Sequence, residues 1–404
     1  MEIEKGYSIS TSIVPIEYKK VKLNFVDTPG FFDFVGEVNS ALRAVEAAAI
    51  LVDASAGIQV GTEKAWNSCK QFNVPKFFLI NKIDKENVNV EEVIESLKDK
   101  FGTSVVTLDD KDALTEAIAE TDEELMEKFF EGEEFTDEEF NGGLSKGIAA
   151  GDIVPVLVVS SLTGEGVEDA LQKFIDLTPK PASVENYEAT NDADEAVELA
   201  VDPNGPVAAL IFKTIADPFL GMISLAKVIS GTLKAGMEVY NSRSGKTEKL
   251  GSLFYMRGKS QEDAGEVPAG DIVAIGKLQY TDTGDTLSEK GKALTLPAIA
   301  FPQPSYFKAI EPAKTGDDEK MGSGLKKLME EDPSFVLFNN TETHQTLIGG
   351  QGDIQLGIIT AKLKDKFGVD VAEVPQKIAY RETIKGTADV QGRHKKQSGG
   401  AGQF

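Results

Sequence analysis

The chain has 404 residues, enough for two to four domains at roughly 150 residues each. Its 66 acidic and 42 basic side chains leave a net charge of −24, a sign that argues against a free RNA or DNA binder, since phosphate contacts are made by Lys and Arg. Two histidines (His344, His394) and one cysteine (Cys69) are too few for a His/Cys zinc site or an internal disulfide, and fit a reducing compartment.

The start, MEIEKGYSIS, lacks a basic region followed by a long apolar one, so it is not read as a secretory signal. The longest apolar stretch, Ala44 to Val52, already contains Glu46 and falls far short of a bilayer span. Up to about Pro181, short apolar runs alternate with helix-period stretches. VKLNFVD, AAILVD, KFFLIN and IVPVLVVSS predict buried strands, and GEVNSALRAVEAA, TEKAWNSCKQF, NVEEVIESLKDKF and GVEDALQKFIDL predict helices. This alternation predicts a parallel, doubly wound sheet with its ligand at the carboxyl ends of the strands. From Phe101 to Ala150 there are 15 acidic and 3 basic residues. ALTEAIAETDEELMEKFF within it places Leu114, Ile118, Leu125 and Phe129 at near-helical spacing, which turns the carboxylates to solvent.

Pro181 to Gly205 holds 7 acidic residues and no basic one, and reads as a linker. From Val207 to about Leu296 the pattern becomes strand and turn (VAALIFKTI, GMISLAKVI, MEVYN, DIVAIG), most simply a small β-barrel. From Ala298 onward the order strand, helix, two strands, helix, strand is that of a split ferredoxin-like sandwich. The last stretch, GTADVQGRHKKQSGGAGQF, is glycine-rich and completes no element. Phe301 to Phe404 is neutral, with 14 acidic and 14 basic residues, and Arg393, Lys395 and Lys396 outnumber Asp389 at its end. A partner rich in RNA is therefore compatible with the acidic total, provided the carboxylates face away from it.

Three loops carry chemistry. DTPG, Asp27 to Gly30, follows VKLNFV; an aspartate there can orient a magnesium-bound water, and the glycine lets a backbone N–H approach a terminal phosphate. Taken alone it is equally a strand-to-turn exit. NKID, Asn81 to Asp84, ends the strand KFFLI. A carboxylate at Asp84 can accept from both N1–H and the exocyclic amine of guanine, a donor pair that adenine lacks. Asn81 would tie loops together, and Lys82 would lay its methylene stem on the base. SSL, Ser160 to Leu162, ends the next strand, where backbone N–H groups can meet the guanine O6, although by itself this is a common turn. Together, in this order, the loops point to a guanine-nucleotide pocket.

With these loops in place the chain resembles the translational GTPases, and within them the elongation factor G family. DTPGFFDFVGEV, NKID, AIAETDEELMEKFFEGEE, GDIVPVLVVSSLTGEGVEDAL, VISGTLKAGMEVYN, GQGDIQLGI, PQKIAYRETI and QSGGAGQF each look like the corresponding family segment. The resemblance implies a multidomain α/β plus β plus α+β chain: a doubly wound GTPase-like domain over 1–181, an acidic linker over 182–205, a translation-factor β-barrel over 206–297, a ferredoxin-like third domain over 298–382, and the start of a fourth over 383–404. It also implies GTP or GDP and magnesium as ligands, and action in the translocation step of protein synthesis. The implied partners are the ribosome, through its rRNA and proteins, and the tRNA–mRNA complex for the complete factor. A cytoplasmic monomer is the implied form, with no membrane contact. By position, Asp27, Thr28, Pro29 and Gly30 would sense magnesium and the γ-phosphate. Asn81, Lys82 and Asp84 would select guanine, and Ser160, Ser161 and Leu162 would complete the base pocket. Ser8 lies where the family has a magnesium-binding threonine, and with Asp27 would form the metal site.

The pattern breaks in three places. The phosphate loop G-x-x-x-x-G-K-[ST] occurs nowhere in the 404 residues. Phe31 stands where the family has a catalytic histidine, as in a subgroup with an aromatic residue there, and a phenyl ring neither donates nor accepts the hydrogen bond that orients water. The stretch Phe101 to Asp112 is too short for the extra subdomain of many relatives, and the fourth domain is cut off. The expectation is an incomplete elongation factor of this family. The alternatives are a non-hydrolysing ribosome-binding factor and a relative of the ribosomal-protection type.

Overall fold

Four short runs, Ala48–Asp53, Lys76–Asn81, Val105–Thr107 and Val154–Val158, pair in parallel, with Val154–Val158 between the second and third. Parallel strands are covered on both faces, which is why most of them read as unbroken apolar runs. Trp66, Phe78 and Leu97 pack one face of this sheet, and Phe77, Ile118, Ile148 and Phe174 the other. The structure is a computed structural model that describes residues 1–183, 186–217, 221–258 and 260–392. Arg393, His394, Lys395, Lys396 and the segment QSGGAGQF lie outside the described residues.

An antiparallel hairpin, Ser12–Tyr18 with Val21–Asp27, precedes the sheet. Its two-residue turn, Lys19 and Lys20, has positive φ at both positions (46° and 67°), the geometry that matches strand twist. Helices Val60–Gln71, Val90–Phe101 and Val167–Leu177 form where the periodicity predicts them. Two expectations need correction. The helix expected through GEVNSALRAVEAA stops at Leu42, because Ala44 and Glu46 beyond it are drawn against the second domain. The strand VKLNFVD, expected to be buried in the parallel sheet, lies outside it: Val21–Asp27 pairs antiparallel with Ser12–Tyr18 and is at most half-buried, because the tight turn after Tyr18 folds it back on its neighbour. The helices expected in ALTEAIAETDEELMEKFF form as Lys111–Ala119 and Glu123–Glu131, the second capped by the Asp122 carboxylate, which accepts from the Glu124 amide. Leu114, Ile118 and Leu125 face the core as expected, while Phe129 remains at the surface.

The acidic stretch expected as a linker is also structured. Tyr187–Asn191 and Ala196–Leu199 form a hairpin whose first strand pairs with Leu294–Thr295. Ala189 and Leu199 are buried with Leu210, Ile229 and Leu296, while the carboxylates alternate outward. Counting charge hid that alternation.

The second domain is an antiparallel sheet of eight strands that curls around Val207, Ile211, Val228, Leu233, Val239, Leu253, Val273 and Leu287. The third has the strand order Val336–Asn340, Gln345–Gly350, Tyr306–Pro312, Val371–Val374, with helices Asp318–Glu331 and Asp353–Phe367 against one core of Leu325, Phe335, Ile348 and Ile359. This is the expected split sandwich.

Buried ion pairs join the first two domains. The register of strand Gly221–Ser230 against Ala208–Asp217 skips from Ala226↔Ile211 to Leu225↔Lys213, a bulge that re-aims Lys213. Its ammonium sits 2.6 Å from each oxygen of Glu37, on the helix Val35–Leu42, and the same carboxylate accepts from the Thr11 amide at 2.9 Å. Lys227 meets Glu46 at 2.5 Å. Asp271 receives Lys22, Asn24 and the Tyr255 hydroxyl, with the Lys22 ammonium 3.4 Å from the Tyr255 ring centre.

Burial by itself raises the Glu37 carboxyl, but the Lys213 charge and the hydrogen bonds from Lys213 and Thr11 outweigh it and hold the group below its ordinary 4.5. A depressed carboxyl contributes stability that is complete above the ordinary value and lost as pH falls through the lowered one. Lys213→Ala leaves Glu37 buried and unpaired, so it is expected to cost about 3–5 kcal/mol at pH 7. Chemical unfolding at pH 7 and at pH 3 checks this: the difference between wild type and variant should shrink at the lower pH.

Candidate functional site

The three loops singled out by sequence leave the carboxyl ends of Val21–Asp27, Lys76–Asn81 and Val154–Val158; the last two are strands of the parallel sheet, whose carboxyl ends are where α/β sheets bind ligands, and the first is a strand of the separate hairpin. The last two loops are bound to each other. The Asn81 side-chain oxygen accepts from the Ser161 amide at 3.0 Å and from the Lys82 amide at 2.7 Å, while its Nδ2 donates to the Ser161 hydroxyl at 3.0 Å. Asn81 thus ties the loops as its residue type suggested. Ser160, fully buried, donates its hydroxyl to Asp84 and accepts from the Thr163 amide at 3.1 Å. That hydroxyl fixes one carboxylate oxygen of Asp84 and so orients the group.

The amides assigned to guanine O6 need correction. Ser160 N–H donates to the Glu165 carbonyl at 2.9 Å and Ser161 N–H donates to Asn81, so two of the three are engaged within the protein. Leu162 stands at the crest of the loop, 84% exposed. Lys82 also departs from expectation. With φ at 67°, it turns its ammonium onto Asp53 at 2.8 Å, where Lys85 also binds at 3.1 Å. Asp53 accepts in addition from the Ser55 amide and hydroxyl, and these donors, Lys82 first, hold its carboxyl well below 3.8. Asp53 is a neighbour of the NKID loop that the sequence reading missed; its one signal was its place at the end of the strand AAILVD.

In the first loop Asp27 ends its strand, Pro29 is buried, and Thr28 lies between them. Burial, and then the nearby Glu2 charge, push the Asp27 carboxyl above 3.8. Glu2 also accepts from the amides of Ile9 and Ser10, which flank Ser8 on its far side. Because Ser12 pairs with Asp27, Ser8 lies four residues beyond the hairpin end on the Asp27 side. The space before Gly30 is open, since a Cβ there would meet nothing within 4 Å. Phe31, 40% exposed, rests its ring against Tyr7 at 4.6 Å. Among the described residues no group of three or more His, Cys, Asp or Glu side chains could hold a metal ion, and no helix is long and apolar enough to cross a membrane.

Three domains in this order, with the linked NKID and SSL loops on the first, have the architecture of a translation factor. Comparisons with known proteins agree domain by domain. Residues 1–180 match the Elongation factor Tu GTP binding domain, 206–290 match Elongation factor G domain 2, and 301–374 match Elongation Factor G, domain III. Elongation factor G of Neorickettsia sennetsu is 34% identical, in an alignment covering 100% of this chain and 65% of that protein. A crystal structure of a Thermus thermophilus protein matches with a TM-score of 0.86 at 28% identity, over 100% of this chain and 64% of the other. The chain belongs to the elongation factor G family. It spans just under two thirds of the length of these relatives.

The loop after Ser160 depends on Gly166, which has φ of 73° and no room for a side chain: a Cβ would lie 2.3 Å from the Val158 carbonyl oxygen. Gly166→Ala is expected to lower stability by about 1–3 kcal/mol and to loosen the Ser160–Asp84 contact. Thermal unfolding, together with hydrogen exchange at residues 160–166, tests both.

Proposed function

We propose that this chain is the guanine-nucleotide-binding part of a ribosome-dependent translation factor acting in the translocation step of protein synthesis. The observation that supports the reading is the frame of two loops, in which Asn81 joins them and the Ser160 hydroxyl holds Asp84; the Asp84 carboxylate would then accept from the N1–H and amine edge of guanine. An adenine would leave that carboxylate unpaired, which favours guanine by a factor of about 10² or more. Lys82 would exchange Asp53 for the face of the base. The Leu162 amide would serve O6, and Thr28, Pro29 and Gly30 would lie along the terminal phosphate.

Magnesium fits the first loop. Ser8 and Asp27 offer hard oxygen donors, a cation would offset the Asp27–Glu2 repulsion, and magnesium typically completes its shell with water and phosphate oxygens rather than with a protein cage. When bound it would neutralise phosphate charge. The domain limits we propose are 1–181, 206–297 and 298–382, with a fourth domain beginning at 383. The hairpin within 182–205 belongs with the barrel. The partners would be rRNA, ribosomal proteins and the tRNA–mRNA complex, and the factor would work as a cytoplasmic monomer.

Phe31 supports a second reading in which turnover is slow. It offers no hydrogen bond to an attacking water, and its ring is held by Tyr7. A non-hydrolysing ribosome-binding factor, or a relative that protects ribosomes, would share this surface.

The 404 residues contain no phosphate loop, so the chain alone is expected to bind GTP far more weakly than micromolar. A calorimetric titration giving a micromolar Kd would overturn this. Joined to a relative's phosphate-loop segment ahead of Met1, the chain should select GTP over ATP and pellet with ribosomes. In that fusion Phe31→His should raise ribosome-stimulated hydrolysis by about 10²-fold; an unchanged rate would remove Phe31 from the mechanism.

A further inference from the structure

We propose that Asp33 is a positioning residue that closes the N-terminus of the third-domain helix Asp353–Phe367 across the domain boundary, so that the seat of the third domain follows the loop carrying Gly30. A helix start leaves its first amides without partners, and they are commonly capped by a side chain of the residue just before the helix. Here that residue is Gly352, which has no side chain to offer. The missing acceptor comes from the first domain: Asp33 Oδ2 accepts from the Gln355 amide at 3.0 Å, the third helical residue and the usual target of a cap. The two residues are 322 positions apart.

Gly352 makes this contact possible. Its φ of −173° is ordinary extended backbone, so its lack of a side chain matters for space alone. A Cβ would stand 2.5 Å from Asp33 Oδ2. Gln355 is itself immobilised: its Nε2 donates to Asp332 at 2.7 Å and to the Ser334 hydroxyl at 2.8 Å, and its Oε1 accepts from the Gln351 amide at 2.6 Å. Beside it, Gly36 lies so close that a Cβ would be 3.1 Å from that of Ser334, and Phe34 is buried with Ile9 and Ile358. Asp33 therefore holds a fully anchored helix end, three residues from Gly30. A shift of the loop must either carry the helix with it or break the cap.

The functional meaning rests on the loop's sensing a nucleotide phosphate, as proposed above. The contact itself can be measured without nucleotide, so its failure is separable from failure of that reading. Hydrogen exchange on the intact chain is the test, with circular dichroism confirming folding. Asp33→Ala should speed exchange of the Gln355 amide about fivefold, the usual loss for a helix cap, and should also speed exchange across residues 31–36. Asp33→Asn keeps an acceptor and should restore most of the protection. Gly352→Ala, made in the third domain, should loosen residues 31–36 of the first. Should Asp33→Ala not fold, the other two variants decide. Unchanged Gln355 protection in Asp33→Ala, equal loss in the Asn variant, or an effect of Gly352→Ala confined to residues 353–356 would each overturn the proposal.

Discussion

The interaction on which the rest depends is the buried carboxylate of Glu37 between the Lys213 ammonium and the Thr11 amide. Three separate parts of the chain meet on it: the segment before the first hairpin, the helix after the DTPG loop, and a strand of the barrel. Removing two charges from water costs several kcal/mol per ion, and only close, well-satisfied geometry repays that. Both Glu37 oxygens are engaged, and so is the ammonium. The pair therefore specifies an arrangement more than it adds net stability, since any other seating of the barrel would leave a bare charge in a dry place. The bulge at Lys213 completes the device by turning toward the interface a side chain that the regular strand register would aim elsewhere.

Much of this fold was legible in the sequence, and the reasons differ by region. Parallel strands covered on both faces must be apolar throughout, so KFFLIN and IVPVLVV declare themselves, and the edge strand AAILVD reads the same way although its Leu51 is exposed. The hairpin Tyr187–Asn191 and Ala196–Leu199 did not, because each strand is short and its outward half is acidic; the charge dominates a count while Ala189 and Leu199 alone carry the core. Val105–Thr107 is three residues long, below what periodicity resolves.

The site divides in the same way. NKID and SSL were readable because each follows an apolar strand and carries side chains able to tie loops, and the Asn81–Ser161 and Asp84–Ser160 contacts follow once the two strands lie side by side. Asp53, Glu37 and Asp33 were not, since their partners lie 29, 176 and 322 positions away and no local pattern marks them. The charge balance gains a finer meaning here. In two buried contacts the carboxylate comes from the first domain (Glu37, Glu46) and the lysine from the barrel (Lys213, Lys227). Part of the first domain's acidity is thus spent in binding its neighbour, while the carboxylates of the helices between 111 and 150 remain mostly in solvent.

Gly30, Phe31, Asp33 and Glu37 fall within eight consecutive residues, and this spacing has a mechanical consequence. The helix Val35–Leu42 is about 12 Å long, its amino end leads back to the DTPG loop, and its body is fixed by Glu37 to the barrel while Asp33 grips the third domain. A rigid element held at two interfaces cannot absorb a displacement of its end by local bending, because packed interfaces tend to switch between arrangements rather than deform smoothly. A displacement at Gly30 would therefore reach both neighbouring domains through one short element. The aromatic residue at position 31, resting on Tyr7, changes the chemistry available to an attacking water but leaves that lever intact. Under the proposed function, hydrolysis and domain coupling would be physically separable: one would depend on a hydrogen bond that Phe31 cannot make, the other on carboxylates at 33 and 37 that are in place.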